Sequence, residues 1–426
     1  MKKHPARKSK SSKGSNPGFI QQRVVPLLEV VVALKDGLRD LVVSSGMAVL
    51  EALLEADREQ LCGPNRKKQA EREAYRYGYD QGQLVMGGRK VSVAKPRVRH
   101  VAGRELTLPT WEAFRQIDPL NGRIVEQMLC GVSTRKYERS LEPLDQEREA
   151  IGVKKSSVSR RFITATSQKV SAVLNRPLDE IDLPVIMIDG LHVGEHVVLG
   201  VLGIDTGGTK HVLGLCDGPS ESEQVCRGLL RNLIERGLRV ERARLFVIDG
   251  SAGLRKAIRQ SFGQWALIQR CQIHKLRNVL EHLPERKREW VRAKMRKAWE
   301  AASVDRARTM LEDLARTLGD HPGAAASVRE GLDDTLTLMK LGLTGALYRT
   351  LRTTNPIENL QGTIRQVTGN VRRWRDGSMA LRWVATALIE AQGHFRRIKG
   401  VGDMSRFIKA LDRAVAIDSQ EAQKIA

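Results

Sequence analysis

Apolar residues between Leu27 and Leu53 recur at the three- and four-residue spacing of a helix face, broken only by Gly37 and Gly46, and predict a packed helical pair over 19–62. The texture changes at Gly78. Up to Leu108 apolar and polar positions alternate, as in Leu84-Val85-Met86-Gly87-Gly88-Arg89-Lys90-Val91-Ser92-Val93, which predicts a small β-hairpin module. Its Arg89, Lys90, Lys95, Arg97 and Arg99 are expected on one exposed side, either touching phosphates or guarding a solvated edge. Helical spacing returns from Pro109 to Arg176. Within it, 144–162 reads as a candidate helix-turn-helix, with Gly152 at the turn, Ser156 or Ser157 as cap, and Arg160 and Arg161 presented to a DNA groove. An ordinary helix-glycine-helix pair accounts for the same spacing, and Gly131–Lys136 offers a rival helix start.

Beyond a linker at 177–182, short apolar runs alternate with amphipathic ones. They predict strands at 184–189, 196–204, 210–216, 245–249 and 265–270 and helices at 221–236 and 251–262, a mixed sheet covered by helices. From His274 to about Leu343 the pattern is helical throughout. The expected organisation is a disordered basic arm over 1–18, an N-terminal DNA-binding region over 19–176, an α/β domain over 183–400 carrying a helical insertion at about 275–345, and a helical tail over 401–426.

Composition narrows the function. A chain of 426 residues with 41% apolar content is globular and too long for one core. Lys and Arg number 72 against 49 acidic residues, a net charge of +23, which points to a polyanion such as DNA or RNA as partner. Five cysteines, Cys62, Cys130, Cys216, Cys226 and Cys271, show no paired pattern and suit a reducing compartment. The basic start runs into Ser, Gly and Pro rather than an apolar signal core, and no apolar stretch is long enough to span a membrane. A soluble, cytoplasmic, nucleoid-associated protein is expected.

Two apolar runs end on aspartate: Pro184-Val185-Ile186-Met187-Ile188-Asp189 and Leu245-Phe246-Val247-Ile248-Asp249. A glutamate stands far downstream in Thr353-Thr354-Asn355-Pro356-Ile357-Glu358-Asn359. Three converging carboxylates can hold two hard divalent ions about 3.5–4 Å apart for in-line attack on a phosphate. Asp189, Asp249 and Glu358 are therefore the candidate catalytic and metal-holding residues. Asp-Gly also occurs at Asp36, Asp217 and Asp376, where a turn explains it.

The segment Asp249-Gly250-Ser251-Ala252-Gly253-Leu254, then Gln269-Arg270-Cys271-Gln272-Ile273-His274-Lys275, then 353–359 with Arg365 beyond, resembles the Mutator-type transposases of the IS256 insertion-sequence family. The closing stretch Val371-Arg372-Arg373-Trp374-Arg375-Asp376-Gly377 is similar to that family too. Gly263 and Trp265 depart from its pattern. The resemblance implies a ribonuclease-H-like core with an Asp-Asp-Glu triad, an all-helical insertion before the glutamate, and Mg²⁺, with Mn²⁺ as a substitute. It also implies cleavage of double-stranded DNA at terminal inverted repeats and strand transfer into target DNA. A homodimer or higher oligomer on DNA is expected, since two ends must be paired. His274 falls in the active-site neighbourhood in that family, with a helix cap as the plain alternative. Arg365, Arg372 and Arg373 are candidate DNA contacts, whereas Trp374 and Trp383 read best as core.

Rival readings remain at this level. Gly203-Ile204-Asp205-Thr206-Gly207-Gly208-Thr209-Lys210 resembles a phosphate turn of sugar kinases or is a hairpin turn. Cys271 and His274 alone could be half a zinc site, but no second pair follows. A non-catalytic DNA-binding regulator, or a nuclease of the same fold unconnected with transposition, would also explain the charge.

Overall fold

The computed structural model describes residues 38–65, 72–116, 120–142, 144, 149–218, 222–369 and 371–425. The expected basic arm, the first part of the N-terminal helical pair and the 145–148 stretch of the candidate helix-turn-helix lie outside them. The described chain divides into two compact units, one built from the residues up to 117 with 141–150, the other from 118–140 and 151–426.

In the first unit, α1 (Leu38–Cys62) covers a three-stranded antiparallel sheet of β1 (Ala74–Met86), β2 (Arg89–His100) and β3 (Glu105–Leu106), with α2 (Pro109–Gln116) after it. The alternation anticipated for β2 is visible in its burial. Val91, Val93 and Val98 point into a core with Met47, Leu50 and Leu54 of α1. Arg97 and Arg99 stand on the other side, their guanidinium carbons 4.9 and 5.0 Å from the Tyr77 ring centre. Arg89 departs from the expected exposed row: it is buried and donates to the Glu142 carbonyl. As the first residue of β2 it shares the inward parity of Val91 and Val93.

The second unit is mixed α/β. After α3 (Leu120–Leu129) and α4 (Lys155–Asn175) come β4 (Val185–Val193), β5 (His196–Ile204), β6 (Lys210–Gly218), α5 (Glu223–Glu235), β7 (Arg244–Ile248), α6 (Ala252–Phe262) and β8 (Ala266–Arg270). Gly152 does adopt a positive φ of 82°, but residues 149–152 are not helical and α4 starts one residue before Ser156, with Lys154 as N-cap and no side-chain cap bond. Ser156 and Ser157 therefore sit inside the first turn, not ahead of it.

The five strands run in the order β6-β5-β4-β7-β8. β4 to β6 form an antiparallel meander, and β4, β7 and β8 are parallel. Such strands are apolar on both sides because helices cover both faces. Ile186, Ile188, Phe246, Ile248 and Ile268 face α5 and α6, joining Leu229, Leu233, Leu254 and Ile258. Val185, Met187, Leu191, Leu245 and Val247 face the opposite layer, which includes Ile357, Leu360, Val384 and Leu388.

The remaining chain is helical. α7 (Gln272–Glu281), α8 (Glu285–Trp299), α9 (Val304–Thr317), α10 (Pro322–Arg329) and α11 (Thr337–Lys340) close their own apolar core around Val291, Met295, Leu311 and Val328. α12 (Gly345–Leu351), α13 (Asn355–Thr368), α14 (Gly377–Gln392) and α15 (Met404–Ile425) return to the sheet. Trp383 is buried with its ring centre 4.7 Å from that of Phe162, and Trp374 rests against the Cα of Gly194, both in the packing role the sequence suggested.

The glycine-rich segment 203–210 is the β5–β6 hairpin turn. Asp205 Oδ1 accepts from Thr209 N at 2.8 Å and Oδ2 lies 2.8 Å from His211 Nε2, so the turn is filled by its own side chain.

Candidate active site

The register of the sheet brings the two aspartates together. Ile188 of β4 pairs with Ile248 of β7, so Asp189 and Asp249 are the next positions on neighbouring parallel strands, whose spacing is about 4.8 Å. Side chains alternate along a strand, and both aspartates follow residues that face α5 and α6. Both therefore turn to the opposite layer, where α13 lies. The sequence reading ended β4 at Asp189, but the strand continues to Val193 alongside β5, from Asp189 opposite Gly200 to Val193 opposite His196. β7 stops at Ile248, so a notch opens beside β4 at Asp189.

Glu358 stands on α13, beside His274. Pro356 near the start of α13 needs no amide partner there, and Ile357, Leu360 and Ile364 seat the helix on the sheet. Glu358 is thereby half-buried. Thr354, fully buried, links the parts: its hydroxyl donates to Glu358 Oε1 at 3.0 Å and lies 3.4 Å from both Cys271 Sγ and His274 Nδ1. Cys271 caps α7, its sulfur accepting from His274 N at 3.5 Å and from Thr354 N at 3.4 Å.

The electrostatics follow from burial of like charges. Burial pushes the Asp189 carboxyl up, to about 7, and the neighbouring Asp249 adds to this while the His274 charge and the Thr354 hydrogen bond oppose it. His274 is raised to about 9, first by its hydrogen bond with Cys271 and then by the Asp189 and Glu358 carboxylates, against the effect of burial. Burial pushes the Cys271 thiol up, but hydrogen bonds from His274 and Thr354 outweigh it and the net shift is downward. Protonated His274 carries an N–H on each ring nitrogen, and Nε2 is 3.6 Å from Glu358 Oε1, an ion-pair distance.

Cys271 Sγ, a His274 nitrogen and a Glu358 oxygen lie within 4.8 Å of one another. Their centre is not a metal cavity, because the Thr354 hydroxyl stands among them at hydrogen-bond distances, well beyond the roughly 2.0–2.3 Å of zinc coordination. Asp189, Asp249 and Glu358 offer a different donor set, all oxygen, with one carboxyl so reluctant to ionise that a bound cation would repay it. That set fits a hard divalent ion.

Among the candidate residues, Asp189 and Asp249 follow paired positions on neighbouring strands, and His274 lies beside both Asp189 and Glu358. Arg365 is exposed on α13 and Arg372 and Arg373 are exposed just after it. Arg160 is exposed on α4, and Arg161 donates to Asn121 Oδ1 at 3.0 Å. Two residues escaped the sequence reading. Thr354 precedes Glu358 by one helical turn, a spacing that could have flagged it. Arg277, one turn after His274, places Nη2 4.0 Å from Glu358 Oε2.

Residues 22–397 match the sequence model of the transposase family called Mutator. The transposase for insertion sequence element IS256 in transposon Tn4001 of Staphylococcus aureus is 26% identical over 362 residues, 80% of this chain and 87% of that protein. The transposase for element ISRM5 of Rhizobium meliloti is 27% identical over 378 residues, covering 85% and 89% of the two chains. That for IS1081 of Mycobacterium tuberculosis is 27% identical over 382 residues, covering 85% and 88%. With the family match spanning most of its length, the chain belongs to the Mutator family of transposases.

Proposed function

We propose that this transposase cuts double-stranded DNA at the ends of an insertion sequence and joins the freed 3′-hydroxyl to target DNA, using Asp189, Asp249 and Glu358 as a metal-holding triad. The observation that supports the reading is that Asp189 and Asp249 hold adjacent positions on neighbouring parallel strands while His274 lies beside both Asp189 and Glu358, the latter on a helix reached only after a long helical excursion. The meander of three strands followed by two parallel ones is compatible with a ribonuclease-H-like core, and α7 to α11 with the insertion expected before the glutamate.

In this reading the triad would hold Mg²⁺, which activates an attacking oxygen and stabilises the departing one. The chain's own groups do the rest. His274, raised to about 9 first by its hydrogen bond with Cys271 and then by the carboxylates, offers an N–H to a phosphate oxygen near the cut. Arg277 adds positive charge over the same carboxylate. Arg365, Arg372 and Arg373, exposed beyond the triad helix, neutralise flanking phosphates, and Arg160 and Arg161 with the N-terminal unit supply contacts to the terminal repeats. Pairing two DNA ends calls for at least two copies of the chain.

The test is cutting of a labelled duplex bearing the element's ends, with and without Mg²⁺, by the wild type and by Asp189→Asn, Asp249→Asn and Glu358→Gln. Metal-dependent cutting lost in all three variants with duplex binding retained is the expected result. Cutting that survives the substitutions places the chemistry elsewhere, and binding without cutting by the wild type favours a regulator.

A further inference from the structure

The face of α13 that carries Glu358 is held at two points, one turn before the carboxylate and one turn after it. Thr354 is the first. The second is Gln361, whose side-chain amide accepts from His192 N at 3.0 Å and donates to His192 O at 2.6 Å. His192 lies in the part of β4 that runs on past the end of β7, paired on its other side with Val197 of β5. Gln361 thus does for one residue what a neighbouring strand would do, exchanging both backbone bonds with an edge left open by the notch. Positions three and four apart lie on one helix face, so Thr354, Glu358 and Gln361 form a single row, which Gln361 joins to β4. The strand that receives Gln361 also carries Asp189, three residues earlier, and Thr354 is tied to Cys271 Sγ, whose own amide donates to Ile248 O of the adjacent strand β7.

We propose that Thr354 and Gln361 are positioning residues that register the Glu358 helix against the Asp189 strand, and so fix the separation of the two carboxylates that must share a cation. This rests on the triad reading above. A carboxylate on a helix seated only by apolar contacts can slide or rotate by an ångström, because such packing is not directional. Hydrogen bonds to a strand backbone and to a buried hydroxyl are directional and stop that motion. Residues of this kind commonly alter metal affinity by 10- to 100-fold when removed.

The experiment is Mn²⁺ titration of the DNA-free protein by electron paramagnetic resonance, alongside duplex cutting as a function of Mg²⁺, for Thr354→Val, Thr354→Ser, Gln361→Glu and Glu358→Gln. Thr354→Val keeps shape but loses the hydroxyl, and Gln361→Glu puts an acceptor where His192 O needs a donor. The expected result is Mn²⁺ binding weakened about 10- to 100-fold in Thr354→Val and about 10-fold in Gln361→Glu, with Thr354→Ser within about threefold of wild type. The Mg²⁺ needed for half-maximal cutting rises in step, more than the rate at saturating Mg²⁺ falls. Wild-type Mn²⁺ affinity in both Thr354→Val and Gln361→Glu, with Glu358→Gln impaired, overturns the positioning role and leaves the triad standing. Wild-type affinity and cutting in Glu358→Gln overturns both. Gln361 is only half-buried, so its variant reports even if removal of the Thr354 hydroxyl prevents folding.

Discussion

Two aspartates of the same sheet, each beside a histidine, have opposite fates. Asp205 sits in the β5–β6 turn, where burial would raise its carboxyl, but hydrogen bonds from His211 and the amides of Thr209 and Gly207 overcome this and hold it below the usual value. Every demand of that carboxylate is met by its own loop. Asp189 meets burial and a second carboxylate instead, and is pushed up to about 7. The difference is one of balance: hydrogen bonds around Asp205 outweigh its burial, whereas at Asp189 burial and Asp249 outweigh the His274 charge and the Gly190 amide.

The strongest way to break the contrast is substitution of the acids. Asp189→Asn, Asp249→Asn or Glu358→Gln should lower Mg²⁺-dependent cutting by at least about 1,000-fold, equivalent to about 4 kcal/mol of lost transition-state stabilisation. Asp205→Asn should leave cutting within about threefold and lower the unfolding temperature. Loss of cutting in Asp205→Asn to the triad level would erase the distinction.

The histidines give the next largest effect. His274→Ala should slow cutting about 100-fold at saturating Mg²⁺, whereas His211→Ala should cost stability of about 1 kcal/mol and leave the rate unchanged. Gel-based cutting assays and thermal unfolding on the same preparations separate the two outcomes.

Protonation sharpens the comparison through opposite signs. The folded chain retains the Asp189 proton up to about pH 7, whereas an unfolded aspartate releases it near 3.8. Between these values the folded state binds more protons, so the contribution of Asp189 falls as pH rises from about 4 to 7, by at most about 4 kcal/mol. Unfolding in a chelator across that range should show a smaller decline for Asp189→Asn than for wild type, and Mg²⁺ should cancel much of the difference. Asp205 has the reverse sign: its depressed folded value gives stability that is present above about pH 4 and is lost in more acid solution. The Asp205→Asn variant should therefore differ least from wild type at the acid end.

Gly208 bears on stability alone: its φ is 77° and its Cβ would meet Val401 Cγ2 at 2.7 Å. Gly208→Ala should destabilise by about 1–3 kcal/mol, read from denaturant unfolding, without altering cutting.

Much of this site was legible in the sequence because apolar runs that end on acid are simple signals. β5 occupies the residues read for it, and Asp189, Asp249 and Glu358 were named from the strand ends and the downstream motif. What was not legible depends on register. The extension of β4 to Val193 is written as the alternation Leu191-His192-Val193, yet the Asp-Gly pair before it reads as a stop. Thr354 and Gln361 have ordinary identities, and their significance arises only when α13 is laid on β4. Arg89 looked like one more exposed cation until the parity of its strand turned it inward.

The helices between β8 and α13 leave and rejoin the sheet at one spot, since Gln272 N donates to Arg352 O at 3.0 Å and Thr354 N to the Cys271 sulfur. With its two ends tied, that excursion behaves as a closed loop, and the entropy of closing it grows only logarithmically with length. Whole helices could therefore be added or removed there while the glutamate stays in reach of the aspartates, which makes this junction a natural graft point for fusing a foreign helical module to the enzyme.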